Sequence, residues 1–287
     1  MIGLWCTRVI WALLPLTTGG AFDDATRSWS TAPARVADVI LWAVWAAGLF
    51  ALFAPRPWGL TLLRIVAPCG VACAALSITS TSTASALLAI AGALAAAILA
   101  LSAPVASAAA NALAYGDEQR FVLHTPLPLL LGPIPIAVAL AGLGFSAGPL
   151  LLAAGRGVAG AVAVVVGIPA ALLLVRLLHP LSCRWLVLVP AGIAVADPLT
   201  LTEPVLVRRD RIARIRRTAS AALPPGALDL RLGTLTGGVT AELSAPVEFG
   251  RRRGRANAEV ITTTVLALSV VRADQALARA RERRINA

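Results

Sequence analysis

Few residues in this chain have the chemistry for catalysis. Gly144-Phe145-Ser146-Ala147-Gly148 matches the G-x-S-x-G pattern of a nucleophile elbow. An elbow must follow a strand so that its serine stands on a sharp turn, whereas this one ends an apolar helical run. An intramembrane serine nucleophile would need a histidine on a neighbouring helix, and His179 does follow on the next apolar stretch. The helical reading sets the pair at opposite ends of adjacent spans, roughly 30 Å apart. No Asp or Glu lies between them to orient a base, so Ser146 is read as a loop-forming small residue. His124 stands near Asp117, Glu118 and Arg120 and could be a gate or a proton relay; a solvated loop histidine is the reading adopted. Cys69 and Cys73, four apart, share a helix face and could hold a metal or a redox pair. Cys6, Cys69, Cys73 and Cys183 make no CxxC, and no nearby histidine suggests zinc, so Cys69 and Cys73 are read as small apolar packing residues of a transmembrane helix. The expectation is a protein that is not an enzyme, with no cofactor and no metal.

Cation-coupled transport needs a carboxylate within the membrane that binds and releases the ion. Only Asp38 qualifies, in the first turn of the second apolar stretch. Arginine is the abundant functional type: all 25 Lys+Arg residues are arginines, for a formal charge of +11. They cluster as Arg208, Arg209, Arg211, Arg214, Arg216 and Arg217, then Arg251, Arg252, Arg253 and Arg255, then Arg279, Arg281, Arg283 and Arg284. Near an anionic leaflet each could contribute about 1 kcal/mol. The alternative is an ordinary positive-inside surface. Nucleic acid is not expected, because Trp185 and Phe249 are the only aromatics there and no stacking platform exists.

The elements that must position these residues follow from composition. With 58% hydrophobic residues, 14% charged and a mean hydropathy of +0.82, the chain carries about half the charge of a soluble domain. Six stretches are long and apolar enough to span a bilayer: Ile2 to Leu16, Val36 to Ala54, Leu60 to Ile78, Ala84 to Ala108, Pro126 to Phe145 and Gly157 to Leu178. The first is short, contains Arg8 and precedes Thr17 to Ala21, so it is read either as a span or as a cleaved leader, the former preferred. Counting arginines in short loops puts the N-terminus and the tail in the cytoplasm, with Arg56, Arg64, Arg120, Arg176 and Arg184 at inner ends and Arg27, Arg35 and Arg156 outside. A helical bundle over 1–180 and a tail domain over 181–287 result.

The fifth stretch holds Pro126, Pro128, Pro133 and Pro135 near its start and Gly142, Gly144 and Gly148 near its end. A proline at membrane depth frees a carbonyl that must find another partner. Pro133, Pro135 and Gly142 are thus candidates for lining a cavity, although a kinked packing helix is the first reading.

After Pro180 the apolar period shortens. Cys183 to Val189 and Ile193 to Ala196 read as a hairpin around Pro190-Ala191-Gly192. Pro204 to Val207, Ala227 to Leu232 and two segments within Val239 to Phe249 read as strands, Glu259 to Val271 as a long strand, and Arg272 to Ile285 as a terminal helix. Arg251 to Arg255 reads as a mobile loop. The run Arg184-Trp185-Leu186-Val187-Leu188-Val189-Pro190-Ala191-Gly192-Ile193 with Asp197, then Pro204-Val205-Leu206-Val207-Arg208-Arg209 leading into Ile212 and Ile215, resembles the bacterial pleckstrin-homology-like domain. The whole chain is similar to actinobacterial multi-pass membrane proteins of unknown function. That resemblance implies a β-rich barrel capped by a helix, used for binding and assembly without a cofactor. The function expected is a membrane-anchored scaffold that presents this module to a protein partner or to the anionic head groups of the cytoplasmic (plasma) membrane. The rival is a transport component whose fifth helix lines the path.

Overall fold

A computed structural model describes residues 2–254 and 257–285, which leaves Arg255 outside the described residues. Among the described residues six helical segments are long and apolar enough to cross a membrane, making the chain a multi-pass membrane protein. The first joins α1 (Ile2–Ala12) and α2 (Leu14–Thr26), followed by α3 (Thr31–Phe53), α4 (Pro57–Leu76) and α5 (Thr83–Ala100). A short α6 (Ala103–Asn111) then leads to β1 (Gln119–Val122) and α7 (Leu127–Leu131), and the last two spans are α8 (Pro133–Ala153) and α9 (Gly157–Leu178). The remainder is β2 (Trp185–Val189), β3 (Gly192–Ala196), β4 (Val205–Arg208), β5 (Ile212–Arg217), β6 (Leu228–Asp229), β7 (Gly238–Arg253), β8 (Asn257–Ser269) and α10 (Ala273–Glu282).

Two compact units emerge. One holds residues 1–109 and 133–179; the other holds 110–132 and 180–287. The tail domain therefore includes a segment from between the fourth and fifth spans, which the hydropathy pattern does not reveal. β1 pairs antiparallel with β2, Gln119 opposite Leu188 and Val122 opposite Trp185. The chain leaves this unit for α8 and α9 and returns to it afterwards, so 110–132 and 180–287 flank one pair of helices in sequence.

The fifth span is displaced from its expected position. Pro126 and Pro128 belong to the α7 segment, Gly132 separates α7 from α8, and Pro133 and Pro135 occupy the first turn of α8. The first turn is where a missing N–H leaves no intrahelical bond unmade, so these prolines start a helix rather than break one. α8 then packs on α9 through glycines: a Cβ on Gly144 would lie 2.6 Å from the Gly167 carbonyl oxygen, and one on Gly148 would lie 2.6 Å from Val164 Cγ2. Close backbone approach of this kind replaces the hydrophobic effect, which has no purchase between helices in lipid.

In the second unit, one sheet has the order β1-β2-β3-β4 and the other β5-β7-β8-β6, with β6 parallel to β8 and the other pairs antiparallel. The sheets are not a closed barrel, which corrects the expectation. Continuous ladders are replaced by isolated bridges, Leu123 with Val270 and Leu201 with Arg251. Between the sheets lies a core that includes Phe121, Leu186, Ile193, Val207, Ile215, Phe249 and Leu268, and α10 adds Ala276 and Leu277. The hairpin at Pro190-Ala191 forms as expected. β7 is one strand of 16 residues rather than two short ones, with a register shift between Glu242 and Val247. Arg251–Arg253 are not a loop: they pair with Glu259, Ala258 and Asn257 at the end of the β7–β8 hairpin.

Candidate functional site

The first basic cluster spans β4, a 3-10 turn at Arg209–Arg211, and β5. β4 is the last strand of one sheet and β5 the first of the other, so both are edges. Arg208, Arg209, Arg211, Arg214, Arg216 and Arg217 are all exposed. Arg208 pairs with Asp210 at 3.2 Å, Arg216 with Glu242 at 2.9 Å and Arg217 with Asp274 at 3.3 Å. Exposed pairs of this kind contribute little, about 0–1 kcal/mol. Among the described residues Arg209, Arg211 and Arg214 make no ion pair. Strand alternation puts Leu206 and Arg208 on the outer face around buried Val207, and Arg214 and Arg216 outward around buried Ile215. The result is a basic edge with one exposed leucine.

The other basic groups are more committed to structure. Arg252 donates through Nε to the Leu201 carbonyl at 2.9 Å, and Arg253 approaches Glu259 at 3.5 Å. Arg279 pairs with Glu282 at 2.6 Å, while Arg283 donates to the Leu188 carbonyl at 2.9 Å and to the Asp117 carbonyl.

A residue that sequence reasoning placed at the membrane edge proves to be the strut of the domain. Arg184 and Asp197 have side chains 1% and 0% exposed. Nε donates to Oδ1 and Nη2 to Oδ2, both at 2.8 Å, while Nη1 reaches the His124 carbonyl at 2.7 Å and Nη2 the Leu230 carbonyl at 3.1 Å. Asp197 Oδ1 also accepts the Leu199 amide at 3.1 Å. Such saturation is what lets a buried pair survive desolvation. A signal was available in the hairpin register: Trp185 faces Ala196, so Arg184 and Asp197 are the next cross-strand positions. A second strut joins Arg231 to Asp229 through two bonds of 2.9 Å, and Arg231 also donates to the Ser220 and Ala221 carbonyls. Burial pushes the Asp229 carboxyl upward, yet hydrogen bonds from the Arg231 side chain and amide outweigh it and hold the group below its ordinary range.

The candidate catalytic groups are not brought together. Ser146 Oγ donates back to the Gly142 carbonyl at 2.8 Å. His179 instead stacks on Trp58, centroids 3.5 Å apart, and its Nδ1 lies 2.9 Å from Thr61 Oγ1. His124 lies in the coil beyond β1, as a loop residue, but is half-buried rather than solvated, its amide donating to the Ser269 carbonyl at 2.8 Å, and burial lowers its imidazole pKa. Cys69 Sγ lies 3.9 Å from the Val138 carbonyl oxygen, and among the described residues no disulfide joins any of the four cysteines. Among the described residues no three His, Cys, Asp or Glu are grouped to hold a metal.

Pro133 and Pro135 lie in the first turn of α8, seven residues or more before Gly142. Gly142 faces Cys69, where a Cβ would stand 3.0 Å from Sγ. A cavity of about 400 Å³ lies elsewhere in the bundle, lined from α1 to α5 and reaching Asp23 and Asp38. Comparison with family models, curated proteins and solved structures finds no match.

Proposed function

We propose that this protein is a membrane-anchored binding module, in which the bundle fixes a domain related to the bacterial pleckstrin-homology-like fold on the cytoplasmic side of the plasma membrane. The β4–β5 edge binds the anionic head groups of the inner leaflet. The observation carrying this reading is the set of three exposed arginines without ion pairs, Arg209, Arg211 and Arg214, on adjacent sheet edges beside Leu206, which is 49% exposed. Cationic groups beside an outward apolar side chain suit the boundary between head groups and acyl chains. The same arginines also keep edge strands from pairing with other chains, a role compatible with lipid contact. Sidedness is supported by Arg56, Arg120 and Arg176, which follow the domain's face in the chain topology, against Arg27, Arg35 and Arg156 on the other.

The test uses the full chain in nanodiscs. Amide exchange over 205–217 is expected to be slower in discs containing anionic lipid than in zwitterionic discs. Raising salt to about 0.5 M, or replacing Arg209, Arg211 and Arg214 by Ala, should erase the difference. Equal exchange in the two lipids overturns the leaflet reading and leaves an acidic protein partner for the same edge, to be sought by co-purification.

A further inference from the structure

We propose that the helical unit binds a hydrophobic organic cation, an amine or quaternary onium with an apolar body, in the cavity among α1–α5. Its volume, about 400 Å³, is that of a small-molecule site. The charged side chains in its lining are Asp23 and Asp38, both carboxylates. They belong to different helices, Asp23 in the last turn of α2 and Asp38 in the third turn of α3, and both are exposed, which puts them at the cavity's mouth. Neither makes an ion pair among the described residues. The neighbouring Asp24, by contrast, is occupied, pairing with Arg27 at 2.6 Å and accepting from Thr81 Oγ1 at 2.6 Å. Asp23 also stands in the last turn of α2, where unpaired carbonyls add negative potential. Two carboxylates that form no ion pair, at a membrane cavity, favour a positively charged occupant.

The walls select what carries that charge. Trp11, Trp42 and Trp45 line the cavity. The indole N–H groups of Trp11 and Trp45 are already donated to backbone carbonyls at 2.9 Å. These two indoles therefore keep no free N–H for an anion, and an aromatic lining attracts cations. A hydrated metal ion would find apolar walls; an onium ion with an aromatic or aliphatic body would bury that body while its charge meets the carboxylates.

Purified full-length protein in mild detergent can be titrated with radiolabelled tetraphenylphosphonium in a scintillation proximity assay. Saturable binding is expected, displaced by the unlabelled cation and not by tetraphenylborate, which has nearly the same shape and the opposite charge. Replacing both carboxylates, Asp23→Asn with Asp38→Asn, should weaken binding about tenfold or more, equivalent to at least about 1.4 kcal/mol. Val44→Trp, which fills the lined space and keeps both carboxylates, should abolish it. Absence of saturable binding, equal displacement by tetraphenylborate, or wild-type affinity in the Asn pair overturns the proposal. If the Asn pair does not survive purification, retained binding in Val44→Trp overturns it and loss supports it.

Discussion

Trp11 and Trp45 exchange hydrogen bonds across the first and second spans, the indole Nε1 of each donating to the backbone carbonyl of the other at 2.9 Å. The chain has a reason for this. The Trp11 carbonyl would accept from the amide four residues on, but that residue is Pro15, which has no N–H. Lipid offers no water to take its place. Trp45 supplies the missing donor, and Gly48, one turn along α3, makes room for the Trp11 ring: a Cβ there would lie within 2.8 Å of its Nε1. A proline break and a tryptophan on another helix thus form one device.

Trp45→Phe should therefore destabilise the bundle by about 1 kcal/mol, the scale of interhelical hydrogen bonds in membranes. Pro15→Ala restores an amide to the Trp11 carbonyl, so in that background Trp45→Phe should cost less. Thermal unfolding of the four proteins in detergent completes the cycle; simple additivity would show that the two residues are uncoupled.

Asp197→Ala leaves the Arg184 guanidinium buried with only the two carbonyls for company. The expected loss is about 3–5 kcal/mol in the domain that holds 110–132 and 180–287. Amide exchange should rise first near His124, whose carbonyl Arg184 holds. The double replacement Arg184→Met with Asp197→Leu should be milder than Asp197→Ala, because no charge is left unpaired.

Gly144→Leu should push α8 from α9, because even a Cβ would meet the Gly167 carbonyl oxygen at 2.6 Å and Ala171 Cβ at 3.0 Å. A cost of about 1–3 kcal/mol is expected. Gly157→Leu, at a position open to space, should be nearly neutral in the same detergent melt.

His124 makes the domain's stability depend on pH. Burial lowers its folded-state pKa, so below its unfolded value, about 6.5, the unfolded chain binds more protons. Its contribution is present above that value and lost as pH falls below it. Unfolding midpoints should drop between about pH 7 and about pH 5, and His124→Gln should flatten that drop. Glu118, whose carboxyl is lowered chiefly by the Arg120 hydrogen bond, and Asp229 add further losses only in more acidic solution.

The six spans, the hairpin at Pro190-Ala191 and the terminal helix were legible because each is a local property. A run of apolar residues needs a bilayer wherever its neighbours lie, and a turn is set by its own backbone. The basic edge was visible as composition, although its distribution over two sheet edges was not. What tertiary structure alone decided is non-local. Gln119–Val122 is too short and mixed to announce a strand, and it becomes one because β2 offers it an edge to pair with. Arg184 looks like any interfacial arginine until the hairpin register sets Asp197 opposite and the His124 and Leu230 carbonyls close around it. Asp23 and Asp38 are fifteen positions apart, and only the assembly of the bundle places both at one cavity. Hydropathy acts residue by residue along the chain, whereas the pairing of a buried charge or the walls of a cavity depend on segments that meet only when the molecule folds.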